Sequence, residues 1–274
     1  MEIPFIKIEG LGNDYIYIDA PRRSKISYPR LARAISDRHH GVGGDGLIVM
    51  TRTGDKSAGM AIYNSDGSIA EFCGNGLRGT ALYLKTVYKA AGRHFTIATH
   101  WNIYQIELLS SKPARVLANL GSPSFAPEDI GFKGKNCMAV PLTIGDRDFV
   151  VFCLAVGNPH TIVFVENYDF DWKTVGAAIE NDRMFKNKIN VMFTKVVSSD
   201  KITVVPWERG AGATQACGSG AAAATVISNV LEYTKRKVRC EMPGGTLITR
   251  WNIEENKIYQ EGPTRVAFSG IYSF

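Results

Sequence analysis

Cys217-Gly218-Ser219-Gly220-Ala221-Ala222-Ala223-Ala224-Thr225-Val226-Ile227-Ser228-Asn229-Val230-Leu231 is the stretch on which the fold turns. Its apolar residues run nearly all round a helical period instead of keeping to one stripe. Gly218 to Leu231 is therefore read as a helix enclosed by protein. The same opening occurs 144 residues earlier, as Cys73-Gly74-Asn75-Gly76. A second helix is expected there, Gly76 to Ala91, with Leu77, Ala81, Leu84 and Tyr88 on one face. A turn precedes each cysteine, Asn64-Ser65-Asp66-Gly67 in the first half and Trp207-Glu208-Arg209-Gly210 in the second. Gly12-Asn13-Asp14 is echoed by Gly157-Asn158-Pro159-His160. Two domains of similar fold, each with one Cys-Gly-x-Gly helix start, are expected, with a boundary near Gly121-Ser122-Pro123-Ser124.

Further out, the chain is mostly strand-like. Residues 95–99, 103–108, 202–205 and 266–268 alternate as half-buried strands do. Pro29 to Ile35 reads as a surface helix, with Pro29 suited to its first turn. Asp171 to Glu180 reads as another helix. The cluster Gly41-Val42-Gly43-Gly44-Asp45-Gly46 follows no βαβ pattern, so tight turns near a pocket are expected from it and not a phosphate loop.

With 274 residues, 45% of them hydrophobic, the chain can bury one large core or two smaller ones. The net charge is +6, and the basic residues are scattered; the one tight run, Lys235-Arg236-Lys237, reads as a solvated loop after a helix. That argues against nucleic acid and suits an anionic small molecule. No signal peptide and no membrane span is evident, so a soluble, cytoplasmic protein is expected, with no membrane partner. Five cysteines, an odd number without C-x-x-C spacing, argue against a disulfide framework and a zinc site. Cys137, Cys153 and Cys240 read as small buried hydrophobes.

Cys73 and Cys217 read differently because both precede helix starts. A helix N-terminus lowers a thiol below its usual ~8.5, and the open N–H groups there bind a carboxylate. Each half would offer one thiol and half of a carboxylate cradle. Inverting a carbon needs a base on one face and an acid on the other, which a thiolate and a thiol can supply. The carbanion would be stabilised through the carboxylate by the same N–H groups. No metal or cofactor signature is evident.

Further strings carry a specific resemblance. Gly10-Leu11-Gly12-Asn13-Asp14-Tyr15, Asn64-Ser65-Asp66-Gly67-Ser68 and Cys73-Gly74-Asn75-Gly76-Leu77-Arg78 lie in the first half. Gly157-Asn158-Pro159-His160, Asn190-Val191, Glu208-Arg209-Gly210-Ala211-Gly212, Ala216-Cys217-Gly218-Ser219-Gly220, Pro243-Gly244-Gly245 and Gly262-Pro263 lie in the second. In this order and spacing the chain resembles the diaminopimelate epimerase family over essentially its whole length. The resemblance implies an α+β fold of two pseudo-symmetric domains, each a barrel-like, mostly antiparallel sheet wrapped around a central helix. Residues 1–122, completed by 263–274, would carry Cys73, and 123–262 would carry Cys217. It implies interconversion of LL- and meso-diaminopimelate without metal or pyridoxal phosphate, for lysine and peptidoglycan synthesis, often in a homodimer. Cys73 and Cys217 would be the acid–base pair. The N–H groups of Gly74, Asn75, Gly218 and Ser219 would hold the reacting carboxylate. Asn13, Asn64, Asn158, Asn190, Glu208 and Arg209 would read the far end, with Glu208 on its ammonium and Arg209 on its carboxylate. His160 would be buried support, and Asp14 would orient the Asn13 loop.

The sequence departs from the family pattern at Gly79, where Cys is frequent, at Ala213, where Glu is frequent, at His100-Trp101-Asn102, and around Asp182-Arg183-Met184-Phe185-Lys186. Two rivals remain open on the sequence. One is a racemase or epimerase of another amino acid, histidine or a hydroxyproline. The other is a thiol redox or binding protein switched by a Cys73–Cys217 disulfide.

Overall fold

Alternating apolar residues build most of this chain into strands, as in Ala114–Gly121, where every second side chain is buried. The computed structural model describes residues 1–20 and 26–274. Its elements begin with β1 (Glu2–Gly10), β2 (Asn13–Asp19), α1 (Tyr28–Ser36), β3 (Gly46–Arg52), β4 (Ser57–Asn64), α2 (Gly74–Thr86), β5 (His94–Ala98), β6 (Ile103–Ser111) and β7 (Ala114–Gly121). Next come α3 (Pro127–Ile130), β8 (Val140–Ile144), β9 (Arg147–Val156), β10 (Asn158–Phe164), α4 (Trp172–Glu180), β11 (Asn190–Ser198), β12 (Lys201–Glu208) and β13 (Gly212–Ala213). Last come α5 (Gly218–Val230), β14 (Lys237–Met242), β15 (Gly245–Asn252), β16 (Lys257–Pro263) and β17 (Arg265–Ser273). Two compact units result, Met1–Asn119 with Glu261–Phe274, and Leu120–Gln260. The chain leaves the first inside β7 and re-enters it inside β16.

The fold is α+β, and one pairing scheme is used twice. In the first unit β1–β2 is antiparallel, β2–β3 parallel, β3–β4 antiparallel, β4–β5 parallel, and β5–β6 antiparallel. In the second, β9–β10, β10–β11, β11–β12, β12–β14 and β14–β15 repeat that alternation. A parallel step needs a long crossover, and each is made by a helix: α1 and α2 in the first unit, α4 and α5 in the second. β17 extends β1 and β8 extends β9, both antiparallel.

The second helix of each unit is its centre. α5 packs against β9, β10, β11, β12, β14 and β15, and all of Gly218–Ser228 is buried. Ala221 to Ala224 let strands close in on every side. α2 packs against β1, β2, β5, β6 and β17. The outer crossover helices bury one stripe each. Leu31, Ala32 and Ile35 of α1 meet Ile16, Ile18, Leu47 and Val49. Val175 and Ile179 of α4 meet Val163, Val191 and Phe193. Each such aliphatic side chain contributes roughly 1.5–3 kcal/mol by leaving water.

Two expectations are corrected here. α2 begins at Gly74 and stops at Thr86, short of Ala91. Lys89 and Gly92 take positive φ (54° and 76°), which a right-handed helix cannot include. β17 is not half-buried: Arg265 to Ile271 are all exposed, Phe268 at 47% and Ile271 at 64%. Among the described residues no helix is long and apolar enough to cross a membrane.

Candidate active site

Both cysteines sit at the N-cap of a 13-residue helix, in extended backbone with φ of −147° and −125°. The first N–H groups of a helix have no intrahelical acceptor, and here Gly74, Asn75, Gly218 and Ser219 bring theirs into buried positions. The third residue after each cysteine is a glycine that lies close against a strand side chain, for a shared reason. A Cβ on Gly76 would stand 2.7 Å from Ile48 Cδ1 of β3, and one on Gly220 would collide with Met192 of β11, the corresponding strand.

In the first unit, Gly76 N donates to Cys73 Sγ at 3.2 Å, and the sulfur lies 3.6 Å from Asn13 Oδ1. That oxygen also accepts from Asn75 Nδ2 at 3.2 Å. Asn13 is held from behind by Asp45, whose Oδ2 accepts from Asn13 Nδ2 at 2.7 Å and from Asp14 N at 2.9 Å. Asp45 therefore orients the Asn13 loop, and Arg38 bridges it to Asp14. Asp14 is engaged by Lys7 and Arg38, both at 2.7 Å. Asn64 pairs with Gly46, next to Asp45, and its Nδ2 donates to Ser68 Oγ at 2.9 Å.

Beneath Cys73 the side chain of Arg78 is fully buried, and its guanidinium donates to Asn75 Oδ1. Burial pulls Arg78 down to about 10, while the Cys73 and Tyr17 charges act to hold it up. Tyr17 donates to Gly76 O at 2.7 Å, and burial, then the Cys73 charge, push its phenol well up. The Tyr17 hydroxyl occupies the space that a Cβ at position 79 would need. Gly79 is thus the small partner of a large tyrosine.

In the second unit Cys217 is almost sealed, 4% exposed, with Sγ 3.7 Å from Ser219 Oγ and 4.0 Å from His160 Nε2. Burial, then the Glu208 carboxylate, push this thiol well above its usual value; hydrogen bonds from Ser219 and Gly220 only oppose that. The expectation of a lowered thiol at Cys217 is corrected: burial of the thiolate and the neighbouring carboxylate raise it. Glu208 touches the thiol and accepts from Thr214 Oγ1 at 2.6 Å, which sets its carboxylate beside the Cys217 sulfur. His160 is fully buried, accompanies Ser219 Oγ at 3.1 Å, and is held neutral by burial, down to about 3.

Asn190 Nδ2 donates to Pro159 O at 2.8 Å and its Oδ1 accepts from Arg209 N at 2.9 Å, tying the start of β10 to the turn after β12. Asn158 Oδ1 is buried with no hydrogen-bond partner among the described residues, an acceptor for an incoming N–H. Glu180 accepts from Trp207 Nε1 at 2.8 Å and Gly210 N at 2.9 Å, bracketing the Glu208-Arg209 turn. Asp45, Tyr17, Arg78, Thr214 and Glu180 were not singled out from the sequence. Arg78 and Thr214 lie in or beside strings that were; Glu180 carries no local signal. Cys137, Cys153 and Cys240 are buried; burial, largest of the causes, raises all three, Cys153 to about 12 and Cys240 to about 11.

Comparison with known proteins places this architecture. The sequence profile described as diaminopimelate epimerase matches residues 5–126 and 152–267. The chain is 37% identical to the diaminopimelate epimerase of Desulfitobacterium hafniense over 280 residues, covering 99% of this chain and 98% of that one. It is 36% identical to that of Oceanobacillus iheyensis, covering 100% and 99%. Its fold is similar to a Bacillus anthracis phenazine biosynthesis protein of the PhzF family (TM-score 0.71, 15% identity, 100% of both chains). It is also similar in fold to a hydroxyproline epimerase from Agrobacterium vitis (TM-score 0.69, 9% identity, 98% and 90%).

Proposed function

This chain belongs to the diaminopimelate epimerase family, and from that premise we propose that Cys73 and Cys217 are the proton-transfer pair with which it interconverts LL- and meso-2,6-diaminopimelate. The observation that carries this is the repeated N-cap: two thiols, each heading a central helix whose first N–H groups are buried. One sulfur removes the α-proton while the other delivers a proton to the opposite face. Gly74, Asn75, Gly218 and Ser219 hold the α-carboxylate with their N–H groups, where charge from the carbanion collects.

Glu208 is moved in this reading from the far end of the substrate to the near one. Its contact with the Cys217 thiol supports a partnership with the ammonium on the reacting carbon. Asn13, Asn64, Asn158 and Arg209 address the remaining polar groups, and the guanidinium of Arg209 suits the second carboxylate. Asn190 acts through the β10 start and the Arg209 turn that it ties together. Such a site rejects analogues lacking the second amino-acid end, because its own polar groups would stay unpaired. The units carrying Cys73 and Cys217 serve as domains 1–122 with 263–274, and 123–262. A homodimer is part of the reading, supported by the exposed Val266, Phe268 and Ile271 of β17, and sedimentation velocity tests it.

The activity is tested by giving reduced protein LL-diaminopimelate in deuterated water. Deuterium at the α-carbon together with appearance of the meso isomer is expected. Neither signal, from folded protein with reactive thiols, would overturn the proposal.

A further inference from the structure

Strands enclose α5, yet four polar side chains are sealed beside it. Gln260 on β16, Thr249 on β15, Cys240 on β14 and Thr225 on α5 itself are all fully buried. Gln260 takes an inward position of β16 between Ile258 and Gly262, where an apolar side chain would fill the space without a polar group to satisfy. Its Nε2 donates to Gly218 O at 2.8 Å and to Thr249 Oγ1 at 3.2 Å. Thr249 Oγ1 also accepts from Cys240 Sγ at 3.8 Å, and that sulfur lies 3.2 Å from Thr225 Oγ1. The Gly218 carbonyl fixes which end of the Gln260 amide faces the helix, because only the NH2 can meet an acceptor.

Gly218 O is one end of a peptide unit whose other end is Ser219 N–H. As a helical carbonyl it already serves the fourth N–H along, so the bond from Gln260 is additional. Ser219 N–H lies in the first turn, where helix N–H groups have no intrahelical acceptor. A second donor at the carbonyl fixes the peptide plane and polarises it, which strengthens the N–H as a donor. In the first unit Tyr17 reaches the helix start, and it donates to Gly76 O. The N–H across that peptide belongs to Leu77 and is already engaged by Cys73 O at 2.9 Å. The Tyr17 bond braces its helix, whereas the Gln260 bond acts on a peptide at the helix mouth.

We propose that Gln260 is a positioning residue for the reaction: its amide holds the Gly218–Ser219 peptide so that Ser219 N–H is aimed at, and binds more strongly, the carboxylate of the reacting carbon. This rests on the reading of that N–H as part of the carboxylate cradle. Negative charge on the carboxylate grows as the α-proton leaves, so a stronger donor favours the transition state over bound substrate.

Gln260→Met is close in size, and Gly218 O keeps its helical donor, so the variant should fold. Its kcat for LL-diaminopimelate should fall about tenfold with KM changed less, a smaller loss than the roughly hundredfold or more that follows removal of an oxyanion donor itself. Adding Thr249→Val removes the hydroxyl left without its donor. The double variant should regain stability to urea while kcat stays low; a merely structural role would return both together. NMR reads the hydrogen bond directly. Gly-Ser occurs at Gly67-Ser68, Gly121-Ser122 and Gly218-Ser219, so protein made cell-free with carbonyl-13C glycine and 15N serine gives one signal for each. In Gln260→Met the Gly218 carbonyl carbon should move upfield while the other two stay. The proposal is overturned if folded Gln260→Met keeps the kcat of the active unaltered protein, if kcat returns with stability in the double variant, or if the Gly218 signal does not move. An unaltered protein that does not epimerise diaminopimelate would instead sink the functional reading, and this role with it.

Discussion

Cys73 and Cys217 have the same backbone environment, and what separates them is the side chain set beside each. In the proposed reaction, replacing either with alanine removes one of the two proton carriers. Epimerisation by Cys73→Ala and by Cys217→Ala should each fall by at least about a thousandfold, measured as conversion of LL- to meso-diaminopimelate. Retention of full rate by either would unseat that cysteine. Arg209→Lys keeps the charge and loses the two-point grip. KM should rise at least about tenfold with kcat less affected, and an unchanged KM would show that Arg209 does not hold the carboxylate. Gly79→Ala belongs to the same scale. Its methyl group would run into the Tyr17 hydroxyl, so stability to urea should drop by about 1–3 kcal/mol. Tyr17→Phe in the same chain removes the colliding oxygen and should recover part of the loss.

Among the elements, α2 and α5 are placed by glycines more than by propensity. Gly76 and Gly220 let the first turn of each helix lie against β3 and β11, and that close approach places each N-cap cysteine. Gly76→Ala would press on Ile48 Cδ1 at 2.7 Å. It should cost about 1–3 kcal/mol and lower turnover, while Ile48→Val beside it should restore stability. An undisturbed urea midpoint in Gly76→Ala would show that the helix has slack there. Both helix starts were legible because Cys-Gly-x-Gly with following apolar residues is a local pattern. The end of α2 was not: the apolar spacing runs on through Tyr88, and only the left-handed turn at Lys89 stops it. The alternation in β17 was also legible, but not its exposure, since periodicity gives a strand's two faces without saying what covers them.

For the molecule as a whole, burial of neutral His160 links stability to pH. Its folded value, about 3, lies below its ordinary 6.5, so the unfolded chain binds the extra proton between those limits. Stability from this source is complete above about 6.5 and declines as pH falls toward 3, by at most about 1.4 kcal/mol per pH unit. Urea unfolding at pH 7 and at pH 5 should show the decline, and His160→Asn should flatten it. Equal slopes in both proteins would assign the effect to other groups.

The linear chain by itself determined the repeat, the α+β character, the two cysteines and the family, because each is written in local strings whose order survives without coordinates. Asp45 behind Asn13, Arg78 under Cys73, Glu208 against Cys217 and Glu180 under the Arg209 turn were decided only by folding. Those contacts join residues distant along the chain or on different turns, and their effect depends on how much water is excluded around them. Desolvation is the reason: the same helix start that favours a thiolate in open solvent yields a protonated thiol at Cys217 once the site is sealed beside a carboxylate.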